Sequence, residues 1–527
     1  MTEREQIRAG DTALGIEFGS TRIKACLVDA QNPEKVLAVG SHSWENAFVD
    51  RLWTYALEDV WAGLRSAYAD LVADVKQRYG VALETVGCIG ISAMMHGYLA
   101  FDDAGELLVP FRTWRNTNTG PAAAELSALF GLNIPVRWSI AHYRQAMLDD
   151  ERHVAHIARL TTLAGCVHEA LTGRHVLGAG DASGMFPLNS SGLAYDEELM
   201  RRFDDLAPGA APIARLLPEV LVAGQDAGEL TPAGAALLDP TGTLPPGIPF
   251  CPPEGDAGTG MVATDAVAPR TGNVSVGTSV FAMVVLERPL TRSHPELDLV
   301  ATPAGDPVAM VHCNNGASEL AAWVGMFVRF AEAAGMRLDP DVVFDVVLRE
   351  ALSGDADAGG LLSYNHLAGE PIAGLPEGRP LFVRAPDSSF TLANAMRSQV
   401  YGVFGTLALG MRVLDEEGVR LERMMAHGGM FRTAGVAQRF LAAALDAPVA
   451  VADTAAEGGA WGMAVLAAYR ATQPAETSLP DYLSSRVFAD TTLHVADPSP
   501  DDVAGFSAYL ERYRAGLAVE EAAVALL

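Results

Sequence analysis

A strand, a turn of glycine and hydroxyl residues, and a returning strand occur twice in this chain, and that repeat limits the fold more than any bulk property. Residues 13–18 read as a strand, Gly19-Ser20-Thr21 as a tight turn, and residues 22–29 as a second strand with Ile23, Ala25 and Leu27 alternating inward. A third strand over 36–41, an amphipathic helix over 57–78 and a near-continuous apolar strand over 86–92 complete the first unit. The second half repeats the plan more weakly. Residues 273–276 and 280–286 read as strands around Gly277-Thr278-Ser279, and 308–312 as a third. Helices over 317–333, 342–351 and 392–415, a short strand over 424–427 and a helix over 434–445 follow. Two such units predict an ancient duplication, with a cleft between the halves. The Pro- and Gly-rich stretch 238–253 reads as a loop just before the junction.

The chain of 527 residues, half of them hydrophobic, is long enough for two cores, because single cores stop growing beyond roughly 250–300 residues. No uninterrupted apolar run reaches the roughly 18 residues of a membrane-spanning helix. The polar, charged N-terminus is unlike a secretory signal. Five cysteines at 26, 88, 166, 251 and 313, without close pairs, predict small buried residues in a reducing cytoplasm. A formal charge of −28 opposes binding to nucleic acid or an anionic membrane, and suits a protein that works on small substrates. An anionic ligand must then be held locally, by backbone amides or a metal.

Several residues can carry chemistry. The turns Gly19-Ser20-Thr21 and Gly277-Thr278-Ser279 can each present consecutive N–H groups and hydroxyls to a phosphate, although either alone is equally an ordinary hairpin turn. Glu17, one residue before the first turn in an apolar strand, can hold Mg²⁺ through water. Asp256 lies among glycines in Glu254-Gly255-Asp256-Ala257-Gly258, where a carboxylate can orient and deprotonate an attacking hydroxyl. Met95-His96-Gly97 follows the buried strand, a usual place for substrate contacts. Trp114-Arg115-Asn116 offers a ring face for sugar carbons and polar heads for hydroxyls. Gly428-Gly429 and the run from Glu457 to Ala464 allow a backbone to approach a flat ring or a neighbouring helix.

Taken in order, these residues resemble the FGGY family of carbohydrate kinases, within the sugar kinase, heat-shock ATPase and actin superfamily. Gly15-Ile16-Glu17-Phe18-Gly19-Ser20-Thr21 with Lys24 looks like the first phosphate motif. Gly90-Ile91-Ser92 through Met95-His96-Gly97 looks like the substrate loop of the xylulokinase branch. Gly255-Asp256-Ala257 is similar to the segment of the catalytic Asp, and Gly277-Thr278-Ser279 to the second phosphate motif. Gly428-Gly429 and the run 457–464 look like the adenosine-side motifs. Asp181-Ala182-Ser183 also matches a family segment, with a structural or indirect role. The resemblance covers about residues 12 to 475. The chain departs from it with Glu17 where Asp is usual, with Trp114-Arg115-Asn116 in place of Trp-x-Asp, and with Gly369-Glu370-Pro371, which matches its loop only in part.

The resemblance implies an α/β fold of two actin-like, ribonuclease H-like lobes with an interlobe cleft, divided at 1–265 and 266–527. It makes Asp256 the general base. Met95, His96, Trp114, Arg115, Asn116 and Asp256 become substrate contacts. Gly19, Ser20, Thr21, Lys24, Gly277, Thr278, Ser279, Gly428 and Gly429 become contacts to ATP, and Glu17 with Asp256 the support for Mg²⁺. The expected activity is ATP-dependent phosphorylation of a ketose such as xylulose by a cytoplasmic enzyme. Ribulose, glycerol or another polyol as acceptor, a non-catalytic sugar-binding regulator, an ATPase without a sugar, and a homodimer all stay open.

Overall fold

The structure, a computed structural model, describes residues 1–433, 435–452, 458–472 and 477–526. The chain divides into two compact units. The first comprises Met1–Ala268, Leu299–Val308 and Ala455–Asp490, and the second Pro269–Asp298, Ala309–Thr454 and Thr491–Leu527. Two positions named above, Glu457 and Ala434, lie outside the described residues.

In the first unit, strands β1 (Thr12–Phe18), β2 (Arg22–Asp29), β3 (Val36–Ser43), β4 (Cys88–Ala93) and β5 (Glu254–Gly255) form one sheet in the order β5-β4-β1-β2-β3. β1 with β2 and β2 with β3 pair antiparallel, whereas β4 runs parallel to β1 and β5 parallel to β4. Directly opposed residues share a face of a pleated sheet. Gly15, Cys26 and Val39 therefore lie on one face, and Ile16, Ala25 and Gly40 on the other. Each face receives a helix at its glycine. An added Cβ at Gly40 would overlap the backbone at Ala67 and Leu71, in helix Leu57–Tyr79. One at Gly15 would overlap the backbone at Ala460 and Ala464, in helix Gly459–Thr472. The first of these helices buries Val60, Leu64, Ala67, Leu71 and Val75 and ends at Gly80, whose left-handed φ of 67° lets its N–H bond Lys76 O. The second returns to β1 from more than 400 residues downstream.

The second large sheet comprises β6 (Thr271–Val276), β7 (Val280–Val285), β8 (Asp298–Ala301), β9 (Pro307–Cys313), β10 (Arg423–Gly428), β11 (Val449–Ala452) and β12 (Leu493–Ala496) in the order β8-β9-β7-β6-β10-β11-β12. Here β6 and β7 form the antiparallel hairpin, and β10 runs parallel to β6. Setting aside β8 and β12, the order is third, second, first, fourth, fifth, as in the first unit. The duplication expected from the two turns is thus a duplication of topology, and it gives the two-lobe, ribonuclease H-like α/β fold. All five cysteines are buried. Among the described residues no helix is long and apolar enough to cross a membrane.

Gly15→Ala is expected to cost about 3 kcal/mol through overpacking and to lower the melting temperature by several degrees. Gly120→Ala, where an added carbon meets nothing, is expected to leave it unchanged or raised. Equal melting of both variants would contradict the close approach at Gly15.

Candidate functional site

The carboxyl ends of three parallel strands gather the acidic residues of the first unit. Register places Lys24 opposite Glu17, Glu17 opposite Ser92, and Ser92 opposite Glu254, a single row across β2, β1, β4 and β5. The row lies on the same face as Gly15, under helix Gly459–Thr472. Asp256 follows β5 directly and opens helix Asp256–Val262. Its Oδ1 accepts the Met95 amide at 3.1 Å, which ties the end of β5 to the loop after β4. Ser92 and Thr259 bond through their hydroxyls at 3.2 Å.

Four carboxyls crowd this end of the sheet. Burial pushes Glu17 up to about 7. Lys24 pulls it down, Asp256 pushes it further up, and the Ala460 amide at the start of the returning helix pulls it down. Burial pushes Asp181 up to about 7, opposed by the Thr162 hydroxyl at 2.6 Å and reinforced by Asp256. Glu254 is raised to about 8 by burial and by Asp181, although its oxygens accept the Gly180 and Asp181 amides at 3.3 and 3.0 Å. A side chain at Gly178 or Gly180 would displace the Glu254 carboxylate. Asp256 itself is solvent-accessible, yet the surrounding protein mass raises its pKa, against the pull of the Met95 and Ala257 amides. A reachable carboxylate at depth, with its basicity raised, suits proton abstraction.

The turn Gly19-Ser20-Thr21 has all three of its carbonyls occupied. Trp44 Nε1 donates to Gly19 O at 2.7 Å, Tyr55 OH to Ser20 O at 2.7 Å, and Trp44 N to Thr21 O at 3.2 Å. The two rings stack at 4.2 Å. The carbonyls are thus held from the outer side, and the turn keeps one conformation.

The loop after β4 is strained. His96 adopts a φ of 68°, a left-handed value that costs a non-glycine residue about 1–3 kcal/mol. Its ring stacks on Trp138, with Nδ1 3.3 Å from Gly184 O. Met95 contributes its amide to Asp256, and its side chain is buried. Trp114 is 37% exposed. The Arg115 guanidinium lies 4.0 Å over the Trp53 ring, and its charge only partly offsets the burial that pushes the Tyr55 phenol up to about 12. Asn116 is differently employed. Its Oδ1 accepts Trp53 N, and its Nδ2 donates to Trp53 O and Thr113 O. Its amide thus fastens the 47–54 hairpin, and a sugar hydroxyl would have to displace those bonds.

In the second unit, the turn Gly277-Thr278-Ser279 is exposed at its first two residues. Its carbonyls are held too, here by backbone: Gly316 N donates to Thr278 O at 2.7 Å and Ala317 N to Gly277 O at 2.9 Å. Gly428 ends β10 with a φ of 115° against Val276 O, where no side chain fits. Gly429 faces open space. Beside them His427 Nε2 is buried with no partner, and burial lowers its pKa. Sequence reading assigned no role to Glu254, Thr162, Trp44 or Tyr55. Only the pair of acids in Glu254-Gly255-Asp256 carried a local signal.

Glu17 is predicted to make stability depend on pH. Its folded pKa, about 7, lies above its ordinary value of 4.5, so folding favours the protonated form. That contribution is complete below pH 4.5 and is lost as the pH rises through 7. Glu17→Gln should match the wild type near pH 4.5 and exceed it by about 3 kcal/mol at pH 8, read as denaturant unfolding midpoints. An offset that is the same at both pH values would contradict this.

Comparison with known proteins agrees in order and extent. The N-terminal domain of the FGGY family of carbohydrate kinases matches residues 12–262, and the C-terminal domain of that family matches 272–471. No curated protein matches the sequence. Solved structures similar over nearly their whole length include xylulose kinase from Rhodospirillum rubrum, with a TM-score of 0.77 and 19% identity over 96% of this chain and 98% of that one. Gluconate kinase from Lactobacillus acidophilus gives 0.77 and 17% over 97% and 99%. Glycerol kinase from Plasmodium falciparum, with ADP, gives 0.75 and 14% over 96% and 97%. At these identities the structures share the fold, and they are named for different acceptors. With both domain models matched in order across 12–262 and 272–471, the chain belongs to the FGGY family of carbohydrate kinases.

Proposed function

We propose that this chain transfers the γ-phosphoryl group of ATP to a hydroxyl of a ketose such as xylulose, with Asp256 as general base. The observation that carries the reading is the accessible, amide-anchored Asp256 carboxylate, whose pKa is raised by its surroundings. In the transfer, the sugar oxygen forms its bond to the γ-phosphorus while Asp256 takes the hydroxyl proton. The bond to the β–γ bridging oxygen breaks, and its electron pair leaves on ADP. Ser20 and Thr21 in the first turn, and Thr278 and Ser279 in the second, would offer N–H and hydroxyl donors to phosphate oxygens, with Lys24 adding a positive charge. Gly428 and Gly429 would admit the adenosine.

Among the described residues no group of three or more His, Cys, Asp or Glu is arranged to hold a metal ion. A divalent cation would therefore rest on Glu17 and Asp256, and mainly on water and phosphate oxygens. Burial, reinforced by the Asp256 charge, lifts Glu17, and a cation would relieve both, so the two residues fit it. When bound, Mg²⁺ supplies neutralisation of phosphate charge.

His96 and the Trp114 ring would set the acceptor. Asn116 stands where the family pattern has an acid, and Arg115 adds a cation beside it, which favours a second reading in which the acceptor carries a carboxylate. Asp256→Asn is expected to lower kcat by about a hundred- to ten-thousand-fold while ADP binding stays intact. The measurement is coupled ADP release with Mg-ATP against ketoses, polyols and aldonates. Turnover with one of them names the acceptor, and substantial turnover by Asp256→Asn removes that residue from the role of base. Hydrolysis that no sugar stimulates would sink the kinase reading itself.

A further inference from the structure

Glu370 belongs to the segment Gly369-Glu370-Pro371, which the sugar-kinase reading leaves without a task. Its side chain is fully buried, and burying a carboxylate costs free energy unless it finds hydrogen-bond donors. Asn315 supplies two donors, its N at 3.3 Å and its Nδ2 at 3.0 Å, both to Oε2, and the Asn314 amide also draws on the carboxyl. Oε1 has no partner. The backbone of Glu370 is itself locked, because it exchanges bonds with Leu375 in both directions across a tight turn.

Asn315 is the hub of this end of the second unit. Its Oδ1 accepts the amides of Leu367 and Ala368 at 2.8 and 2.9 Å, and its Nδ2 also donates to Ala368 O. Asn365 Nδ2 donates to the carbonyls of Asn315 and Gly316 at 3.3 and 2.8 Å. The next two residues of the chain, Gly316 and Ala317, supply the amides that occupy the carbonyls of Thr278 and Gly277. No side chain fits at Gly316, where a Cβ would overlap Gly277 O. Hydrogen bonds from the Glu370 carboxylate to Asn315, the peptide backbone from Asn315 to Ala317, and hydrogen bonds from there to the turn Gly277-Thr278-Ser279 thus form one connected path, all of it inside the second unit.

We propose that Glu370 is a positioning residue that fixes the second phosphate turn through Asn315, Gly316 and Ala317, and so sets affinity for the polyphosphate part of the nucleotide. The proposal rests on the reading that this turn holds phosphate. Glu370 touches no ligand in it. Its effect falls on the conformation of the turn, so it should discriminate ADP and ATP from AMP.

The test is calorimetric binding of ADP and of AMP to the full chain and to Glu370→Ala and Glu370→Gln, with a thermal melt of each. Glu370→Ala is expected to weaken ADP about tenfold, the equivalent of one net hydrogen bond, and to leave AMP within about twofold. Glu370→Gln, which keeps an acceptor for Asn315, is expected to recover most of the ADP affinity. If Glu370→Ala does not fold, Glu370→Asp takes its place, because it keeps the charge but withdraws it by one methylene, and ADP should again weaken selectively. Unchanged ADP binding in the folded variant overturns the proposal. So does an equal loss for ADP and AMP, which would be general loosening of the unit. A wild type that binds neither nucleotide would remove the kinase reading and this inference together, whereas a binding-competent wild type with indifferent variants removes only the inference.

Discussion

The close approach of helix Gly459–Thr472 to strand β1 at Gly15 is the contact on which the arrangement of the first unit depends. Only a glycine on the strand lets a helix backbone lie directly on the sheet, and the helix arrives from the far end of the sequence. Its first turn places the Ala460 amide at the Glu17 carboxyl. Gly462, one turn on, meets Thr259 O, which leaves no room for a side chain and packs this helix against the one that Asp256 opens. Without the Gly15 contact, neither Glu17 nor Asp256 would have its present surroundings.

The second governing feature is electrostatic. A chain of net charge −28 still brings Glu17, Asp181, Glu254 and Asp256 to one sheet end, where burial raises all four pKa values and a neighbouring carboxylate adds to it for the first three. The structure pays for this with backbone amides: Gly180 and Asp181 on Glu254, and Met95 on Asp256. Such a cluster is poorly designed for stability and well designed for receiving cations and protons.

How much of this was legible in the sequence follows from the range of the interactions. The hairpins, the helix at 57–79 and the buried strand before Met95 rest on local periodicity, and all were readable within a residue or two. The two hairpin turns and the position of Asp256 just after a short strand were readable because the residues that make them are contiguous. Asn116 was not, because an amide's employment depends on Trp53, 63 positions away. Glu254 drew no assignment, because its partners are the amides of Gly180 and Asp181, more than 70 residues earlier. Asn315 and Glu370 are 55 residues apart. Residues whose role is to hold others in place announce themselves only in three dimensions.

The two turns are held by different kinds of atom. Around Gly19, two of the three donors are the indole of Trp44 and the phenol of Tyr55. Around Gly277, both are peptide N–H groups, which every residue but proline carries. Mutational drift therefore acts on them unequally. The first turn can lose its supports one substitution at a time, through ordinary codon changes at two aromatic positions. The second is nearly deaf to the identity of its immediate donors, and inheritance can loosen it only from a distance, through the residues that keep those peptides where they are.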